Sequence, residues 1–92
     1  MLAPDAIDDL KRLSAGARAR LENALEIHLR YQPMKISRSR IKRLRGLSRS
    51  QYRLRVDDMR VFYDVQKRRV EILAIVTKPD AAAWLAREGR KA

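Results

Sequence analysis

The sequence predicts an α+β fold: an N-terminal helical hairpin packed on a small, mainly antiparallel sheet of three to four strands, with a short C-terminal helix. Two observations predict this fold. The first third of the chain spaces its apolar residues as helices do, whereas residues 51–66 contain two alternating runs that meet at Asp57 and Asp58. A chain of 92 residues can bury one modest core, so residues 1–92 are expected to form a single domain.

The N-terminal region predicts two antiparallel helices. Pro4 suits the first turn of a helix that runs to about Leu13, and residues 14–16 are expected to break it. A longer helix over about residues 17–31 follows, because its apolar residues form one stripe. This stripe contains Leu21, Ala24, Leu25, His28 and Leu29. We interpret His28 as a packed or capping side chain, with general acid or base chemistry as the alternative.

Residues 51–66 predict a β-hairpin around which the sheet is built. With Asp57 and Asp58 at its tip, residue 55 faces 60, residue 54 faces 61 and residue 53 faces 62. Opposed residues of an antiparallel pair point to the same side of a sheet, so three arginines and one aromatic ring share a face. The residues of this face are Arg53, Arg55, Arg60 and Phe62. The opposite, apolar face is expected to pack on the core and consists of Tyr52, Leu54, Val56, Met59, Val61 and Tyr63.

Shorter segments complete the predicted sheet. Residues 1–3 form at most a stub of strand, and residues 41–45 predict a strand ended by Gly46. Residues 70–77 are apolar on nearly both faces, as expected of a strand in the sheet interior with helices on both sides. Pro79 then begins the last helix, for which Thr77 or Lys78 is the expected cap. This helix is expected to pack through Trp84 and Leu85 and to stop at Gly89.

The charge is concentrated in the middle of the chain. The net charge is +11, and residues 34–69 carry thirteen basic and three acidic side chains, whereas residues 1–33 carry five of each. A segregated basic block favours a polyanionic partner, either nucleic acid or an acidic protein, over a merely solvated basic surface.

Composition also narrows the possible classes. The chain has no cysteine and one histidine, so we expect no thiolate chemistry, no metal site of the usual kind and no cofactor. No apolar run, including residues 72–76, is long enough to span a bilayer, and the N-terminus lacks a signal-peptide pattern. We therefore expect a soluble, cytoplasmic protein with no membrane partner.

Three segments together resemble the RelE/ParE superfamily of bacterial toxins from type II toxin–antitoxin pairs. They are KRLRG at residues 42–46, YRLRVDDMRVFYDV at 52–65 and VEILAIV at 70–76. The resemblance implies a RelE-like fold and an antitoxin partner whose acidic segment wraps the toxin and masks its basic site. Within the superfamily, the RelE branch cuts mRNA in the ribosomal A site, whereas the ParE branch poisons DNA gyrase.

The resemblance also implies site residues. Arg53 and Arg55 fall on basic positions of the RelE branch, and Arg60 falls on its arginine at the start of the next strand. The chain departs from that branch after its last strand, where Pro79 occupies the arginine position and Leu85 the tyrosine position. Lys78 and Trp84 lie one residue away from these two positions.

The leading hypothesis is an endoribonuclease that acts on mRNA in the ribosome. Arginine can neutralise a phosphorane but is a poor base, so the catalytic set is Arg53, Arg55 and Arg60 with Lys78 as proton acceptor. Phe62 either stacks a base or lies in the core under a helix. The outer RNA-binding surface is predicted to contain Lys35, Arg38, Arg40, Lys42, Arg43 and Arg45. Two alternatives remain open: a gyrase inhibitor, and a catalytically inactive RNA- or ribosome-binding module.

Overall fold

A computed structural model of the protein describes residues 1–37, 40–46, 49–67 and 69–89. Within these residues, two helices precede four strands and a third helix follows. The elements are α1 (Pro4–Arg12), α2 (Ala15–Leu29), β1 (Ile41–Arg43), β2 (Tyr52–Val56), β3 (Met59–Gln66), β4 (Arg69–Thr77) and α3 (Lys78–Glu88). The strands form one antiparallel sheet in the order β1-β2-β3-β4, which confirms the predicted α+β architecture.

The break between the first two helices is shorter than the sequence predicts. Only Leu13 and Ser14 have extended backbone there, and α2 already begins at Ala15. The Ser14 hydroxyl accepts a hydrogen bond from the Ala17 N–H at 3.2 Å, which satisfies one of the free donors at the helix start. This cap allows Gly16 to lie within the helix rather than in the break. At the other end, α2 stops at Leu29, two residues earlier than expected.

The hairpin has the predicted register. Arg55 pairs with Arg60, and Arg53 pairs with Phe62, so these side chains share a face of the sheet. At the tip, Asp57 has a φ of 53°, a left-handed conformation that aspartate tolerates better than most residues. The six residues predicted for the apolar face are all buried: Tyr52, Leu54, Val56, Met59, Val61 and Tyr63.

Helices cover both faces of the sheet. On one side, α1 and α2 pack on the apolar face of the hairpin, with Leu21 fully buried against it. On the other side, α3 packs over a smaller core formed by Phe62, Leu73, Ala74 and Trp84. The arginines of the hairpin therefore share their side of the sheet with α3.

The strand β4 lies at the edge of the sheet, which corrects the prediction of an interior strand. Its outer edge is nevertheless partly paired, because Leu2 forms a parallel bridge with Ile72. The Ala3 N–H donates to the Ile72 carbonyl at 2.8 Å, and the Asp9 carboxylate accepts from the Ile75 N–H at 2.9 Å. The predicted N-terminal stub thus exists, and together with the helices on both faces it accounts for the apolar sequence of β4.

The opposite edge is formed by β1, which ends at Arg43 rather than at residue 45. Its pairing continues slightly further, since the Leu44 N–H donates to the Gln51 carbonyl at 2.8 Å. Gly46 then turns the chain with a φ of 75°, a conformation that favours glycine.

Candidate functional site

Three arginines on adjacent strands form the arginine cluster, defined here as Arg53 and Arg55 of β2 and Arg60 of β3. Their exposure differs sharply. Arg55 is exposed and Arg53 is half-buried, whereas Arg60 is only 6% exposed. Among the described residues, no ion pair involves any of the three. The cluster is thus a concentration of positive charge without a carboxylate partner in the described part of the chain.

Arg60 forms the buried base of this cluster. Its Nη1 donates to the Asp57 carbonyl at 3.0 Å and to the Met59 carbonyl at 2.9 Å. One guanidinium nitrogen is therefore engaged in holding the hairpin tip, although a guanidinium has five N–H donors. Arg60 therefore adds a buried positive charge to the arginine cluster, and its hydrogen bonds stabilise the turn.

Arg53 carries a donor without a partner. Its Nε is buried and makes no hydrogen bond within the described residues. Burial lowers the pKa of Arg53, and the positive charges of Arg60 and Arg55 lower it further. The buried Nε is out of reach of an external anion, but an anion that contacts the rest of this half-buried guanidinium would be attracted by all three charges.

Phe62 does not form an exposed stacking platform. Its ring is fully buried and stacks on Trp84 of α3, with ring centroids 4.7 Å apart and planes within 4°. The prediction that Phe62 stacks an RNA base is therefore wrong, because α3 already occupies that side of the ring. The alternative interpretation, a core residue covered by a helix, is confirmed, as is the role of Trp84 in anchoring α3.

Lys78 lies at the hairpin end of the sheet. It is the first residue of α3 and is exposed, and its backbone N–H donates to the Asp58 carbonyl at 2.7 Å. This bond attaches the start of α3 to the hairpin tip, the same turn that Arg60 holds through the Asp57 carbonyl. The predicted proton-transfer role of Lys78 stays a prediction.

The predicted RNA-binding residues of β1 and the segment after it do not all lie on the same side of the sheet. Lys42 of β1 pairs with Arg53 and is exposed, so it extends the arginine face, and the exposed Arg45 follows the same strand. Arg43 pairs with Tyr52 instead and places its guanidinium 5.0 Å from that ring, on the side of the sheet that faces α1 and α2.

Two further basic residues lie away from the arginine face. Lys35 and Arg40 line a cleft beside α2 together with His28. Burial and the charge of Arg40 lower the pKa of His28. The remaining residue of the predicted set, Arg38, lies outside the described residues. The sequence therefore predicted one continuous basic surface, whereas the structure places part of the basic segment beside α2.

The hairpin tip has a second support that the sequence did not reveal. Arg20 of α2 donates from its Nε to the Asp57 carboxylate at 2.9 Å. The tip is thus linked to α2 by a side chain and to α3 by the backbone of Lys78. No local pattern signals such a contact, because its partners lie 37 residues apart in the chain.

The described residues contain no helix that is both long and apolar enough to cross a membrane. Across the same ranges, no group of histidine and carboxylate side chains is arranged to hold a metal ion.

The architecture defines a RelE-like fold. One chain in the crystal structure of the RelB–RelE antitoxin–toxin complex from Methanococcus jannaschii matches with a TM-score of 0.70 at 19% identity, covering 91% of this chain and 96% of that chain. One chain in the crystal structure of the archaeal RelE–RelB complex from Pyrococcus horikoshii OT3 matches with a TM-score of 0.68 at 24% identity, covering 84% and 90%, respectively. At these identities the likeness is one of fold.

The family follows from the sequence itself. A family model described as the ParE toxin of a type II toxin–antitoxin system, parDE, matches residues 1–78. The chain therefore belongs to the ParE toxin family, within the superfamily that the sequence motifs resemble. No curated protein sequence matches it significantly.

Proposed function

We propose that this protein is the toxin of a type II toxin–antitoxin pair and that it inhibits translation by cleaving mRNA on the ribosome. The observation that carries the proposal is the arginine cluster itself, three neighbouring guanidinium groups that form no ion pair within the described residues. A cluster of this kind suits a phosphate whose negative charge increases during reaction. Membership of the ParE toxin family supports the toxin assignment.

The proposed reaction uses the RNA's own nucleophile. The 2′-oxygen attacks the adjacent phosphorus, the bond to the 5′-oxygen breaks, and a cyclic phosphate and a 5′-hydroxyl result. The arginine cluster would orient the phosphate and neutralise the phosphorane, with Arg55 as the exposed contact and Arg60 as the buried charge. The 2′-hydroxyl must also lose a proton, for which the neutral amine form of Lys78 is the proposed acceptor, and the leaving 5′-oxygen takes up a proton from water.

The RNA would extend beyond the reacting phosphate. Lys42 and Arg45, which are exposed along or just after β1, would contact flanking phosphates. The predicted contribution of Arg38 remains part of the proposal, whereas Lys35, Arg40 and Arg43 lie on other surfaces. The antitoxin is the proposed protein partner, consistent with the toxin–antitoxin complexes that contain the two structural relatives.

Inhibition of DNA gyrase is the second candidate function. The matching family model is that of ParE toxins, which favours this alternative. The replacement of the expected arginine and tyrosine by Pro79 and Leu85 also favours it, because RNA cleavage then lacks two of the groups that the RelE branch uses.

Expression in bacteria distinguishes the candidates. We expect induction to stop incorporation of labelled amino acids before that of labelled thymidine, with mRNA cut in the ribosomal A site. Prompt arrest of DNA synthesis with trapped gyrase cleavage complexes would instead establish the second candidate. Normal growth despite accumulation of folded protein would indicate an inactive binding module.

Substitutions then test the site itself. Replacing Arg53 with glutamine should slow mRNA cleavage roughly 100- to 1000-fold, the usual loss for one preorganised charge-stabilising donor. Arg12→Gln is the matched control, because the Arg12 side chain is 74% exposed on α1 and pairs with Asp9 instead of belonging to the cluster. Equal, mild effects of both substitutions would contradict a focused site.

A further inference from the structure

A cleft beside the end of α2, which we call the α2 cleft, is lined by hydrogen-bond donors. Its volume is about 240 Å³, and its polar lining residues are His28, Gln32, Lys35, Ser37 and Arg40. Each of these five side chains can donate a hydrogen bond, and two of them carry a positive charge. No carboxylate is among the described residues that line it. The α2 cleft therefore suits an anion that accepts several hydrogen bonds.

The two cations of the cleft have no carboxylate partner in the described ranges. Lys35 and Arg40 take part in no ion pair there, whereas Arg30, which directly follows α2, pairs with Glu26. A groove between α1 and α3 has the opposite character, since its lining includes Asp5, Asp8, Asp9 and Asp80. An anion in the α2 cleft would thus meet positive charge that no described carboxylate neutralises.

Hydrogen bonds hold the backbone of Arg40 on both sides. The Ser37 hydroxyl accepts from the Arg40 N–H at 3.2 Å and from the Ile41 N–H at 3.1 Å. The Arg40 carbonyl accepts from the Arg55 N–H of β2 at 2.7 Å. Because both bonds to Ser37 use its oxygen as the acceptor, the hydroxyl hydrogen can still be donated to a ligand. Binding would therefore order the Arg40 side chain on a backbone that is already fixed.

The imidazole of His28 responds to the charge in this cleft. It is half-buried, and burial together with the positive charge of Arg40 lowers the pKa of His28. The other charged residues that line the cleft or its extension along α2 are Lys35, Arg20 and Asp57, and the last two pair with each other. A bound anion would favour the protonated imidazole and raise the pKa of His28.

An extension of the cleft along α2 leaves room for more than a bare anion. It has a volume of about 370 Å³, shares His28 and Arg40 with the α2 cleft, and continues past Ala24 to Val56 of β2. The amide of Asn23 also lines it and can both donate and accept. Together the two parts have the size of a small-molecule site, roughly 300 to 1,000 Å³.

We propose that the α2 cleft binds the phosphate group of a small phosphate monoester of the nucleoside monophosphate class, with the organic part of the ligand in the extension. Arg40 and Lys35 would contact the phosphate oxygens, and the Ser37 hydroxyl would donate to them. A phosphate monoester carries about −1.5 to −2 charge at neutral pH and offers three acceptor oxygens, which match these donors. The proposal goes beyond the proposed function, because none of these residues belongs to the arginine cluster.

The single histidine of the chain makes the site observable without an activity assay. NMR titration of the His28 imidazole against pH gives its pKa in the full-length protein with and without saturating adenosine 5′-monophosphate. The nucleotide should raise the pKa of His28 by at least about 0.5, whereas adenosine, which lacks the phosphate, should leave it unchanged. Ionic strength is kept constant throughout, because salt alone would screen the charge of Arg40.

Matched variants locate the binding, which isothermal titration calorimetry measures. Arg40→Gln should weaken binding of adenosine 5′-monophosphate roughly tenfold, the usual loss of one charge-assisted hydrogen bond. Arg30→Gln removes the same charge nearby but should leave binding within about twofold, because Arg30 pairs with Glu26 and lines a different groove. Thermal unfolding of each variant shows whether the fold is retained.

Several results would overturn the proposal. One is an unchanged pKa of His28 with the nucleotide, or an equal change with adenosine. Equal weakening by Arg40→Gln and Arg30→Gln would show an effect of net charge alone, and loss of binding on Arg53→Gln but not on Arg40→Gln would place the nucleotide on the arginine cluster.

The probe also distinguishes a small ligand from an RNA end. Binding of a 5′-phosphorylated RNA hexamer in the α2 cleft, with no response to adenosine 5′-monophosphate, would overturn the assignment to a small molecule. Because none of these measurements involves RNA cleavage or gyrase, failure of the proposed activity would leave them intact.

Discussion

Trp84 of α3 stacks face to face on Phe62 of β3, with ring centroids 4.7 Å apart and planes within 4°. The centre of this face of the sheet is therefore a second hydrophobic core, because α3 covers the Phe62 ring. The sequence alone did not decide whether that ring was exposed or buried. The arginine cluster is consequently left beside α3 rather than around an exposed aromatic platform. The proposed RNA contacts on this face would therefore rely on guanidinium groups and not on base stacking.

Replacing Trp84 with alanine should lower the free energy of unfolding by about 3 to 5 kcal/mol, since a large buried aromatic side chain is removed from the smaller core. Urea unfolding followed by circular dichroism measures the loss. Arg87→Ala, an exposed substitution in the same helix, should change the unfolding free energy by no more than about 0.5 kcal/mol. Similar values for both variants would show that α3 is not anchored by the tryptophan.

Replacing Arg60 with methionine should destabilise the protein, because the Asp57 and Met59 carbonyls lose a charged donor. The expected loss is about 1 to 3 kcal/mol. Relief of repulsion from Arg53 and Arg55 opposes this loss, so the measurement is best made in high salt, where that repulsion is screened. The matched substitution Arg55→Met should be nearly neutral there, because Arg55 is exposed. Equal stability of the two variants would argue against a structural role for Arg60.

Asp9 should stabilise the protein by satisfying a backbone donor at the edge strand β4. Its carboxylate is the acceptor for the Ile75 N–H, and its side chain is only 14% exposed. Asp9→Ala should therefore cost about 1 to 3 kcal/mol, and Asp9→Asn should recover part of this because the amide oxygen can still accept. Asp8→Ala, at an exposed neighbour in α1, is the control. Chemical denaturation compares the three variants, and no difference between Asp9→Ala and Asp8→Ala would contradict the prediction.

His28 should make stability depend on pH. Burial and the charge of Arg40 lower its pKa in the folded protein, so the unfolded chain binds a proton at a pH where the folded chain does not. Stability should therefore be greatest above the unfolded pKa of about 6.5 and should fall as the pH decreases toward the lowered folded value. Thermal unfolding between about pH 5 and 8 tests this, with His28→Gln as the comparison. The variant should lose less stability on acidification, and identical profiles would exclude a contribution from His28.

The hairpin shows which structural features the local sequence pattern can predict and which it cannot. Alternation around Asp57 and Asp58 was sufficient to predict the register, because the side-chain period of two leaves one pairing that buries the whole apolar face. The same reasoning placed Phe62 beside the arginines but left its exposure undecided. The exposure of Phe62 depends on α3, which follows β3 in the chain only after the whole of β4.

The basic segment shows the opposite case. The sequence concentrated positive charge in residues 34–69 and suggested one continuous surface. In the fold, Arg43 lies over Tyr52 on one side of the sheet, Lys42 pairs with Arg53 on the other, and Arg40 lies beside α2. Neighbouring residues of a strand point to opposite faces, so one run of charge was divided between the two sides of the sheet.

By itself, the sequence determined the α+β class, the hairpin register and the face that carries the three arginines, because each follows from local periodicity. A match of residues 1–78 to a family model added the ParE toxin family. Only the tertiary structure decided which of these side chains is accessible. It buried Arg60 and Phe62, left Arg55 exposed, and left the Nε of Arg53 buried without a partner. The physical reason is that burial depends on which helix packs over a face, and that packing joins segments far apart in the chain.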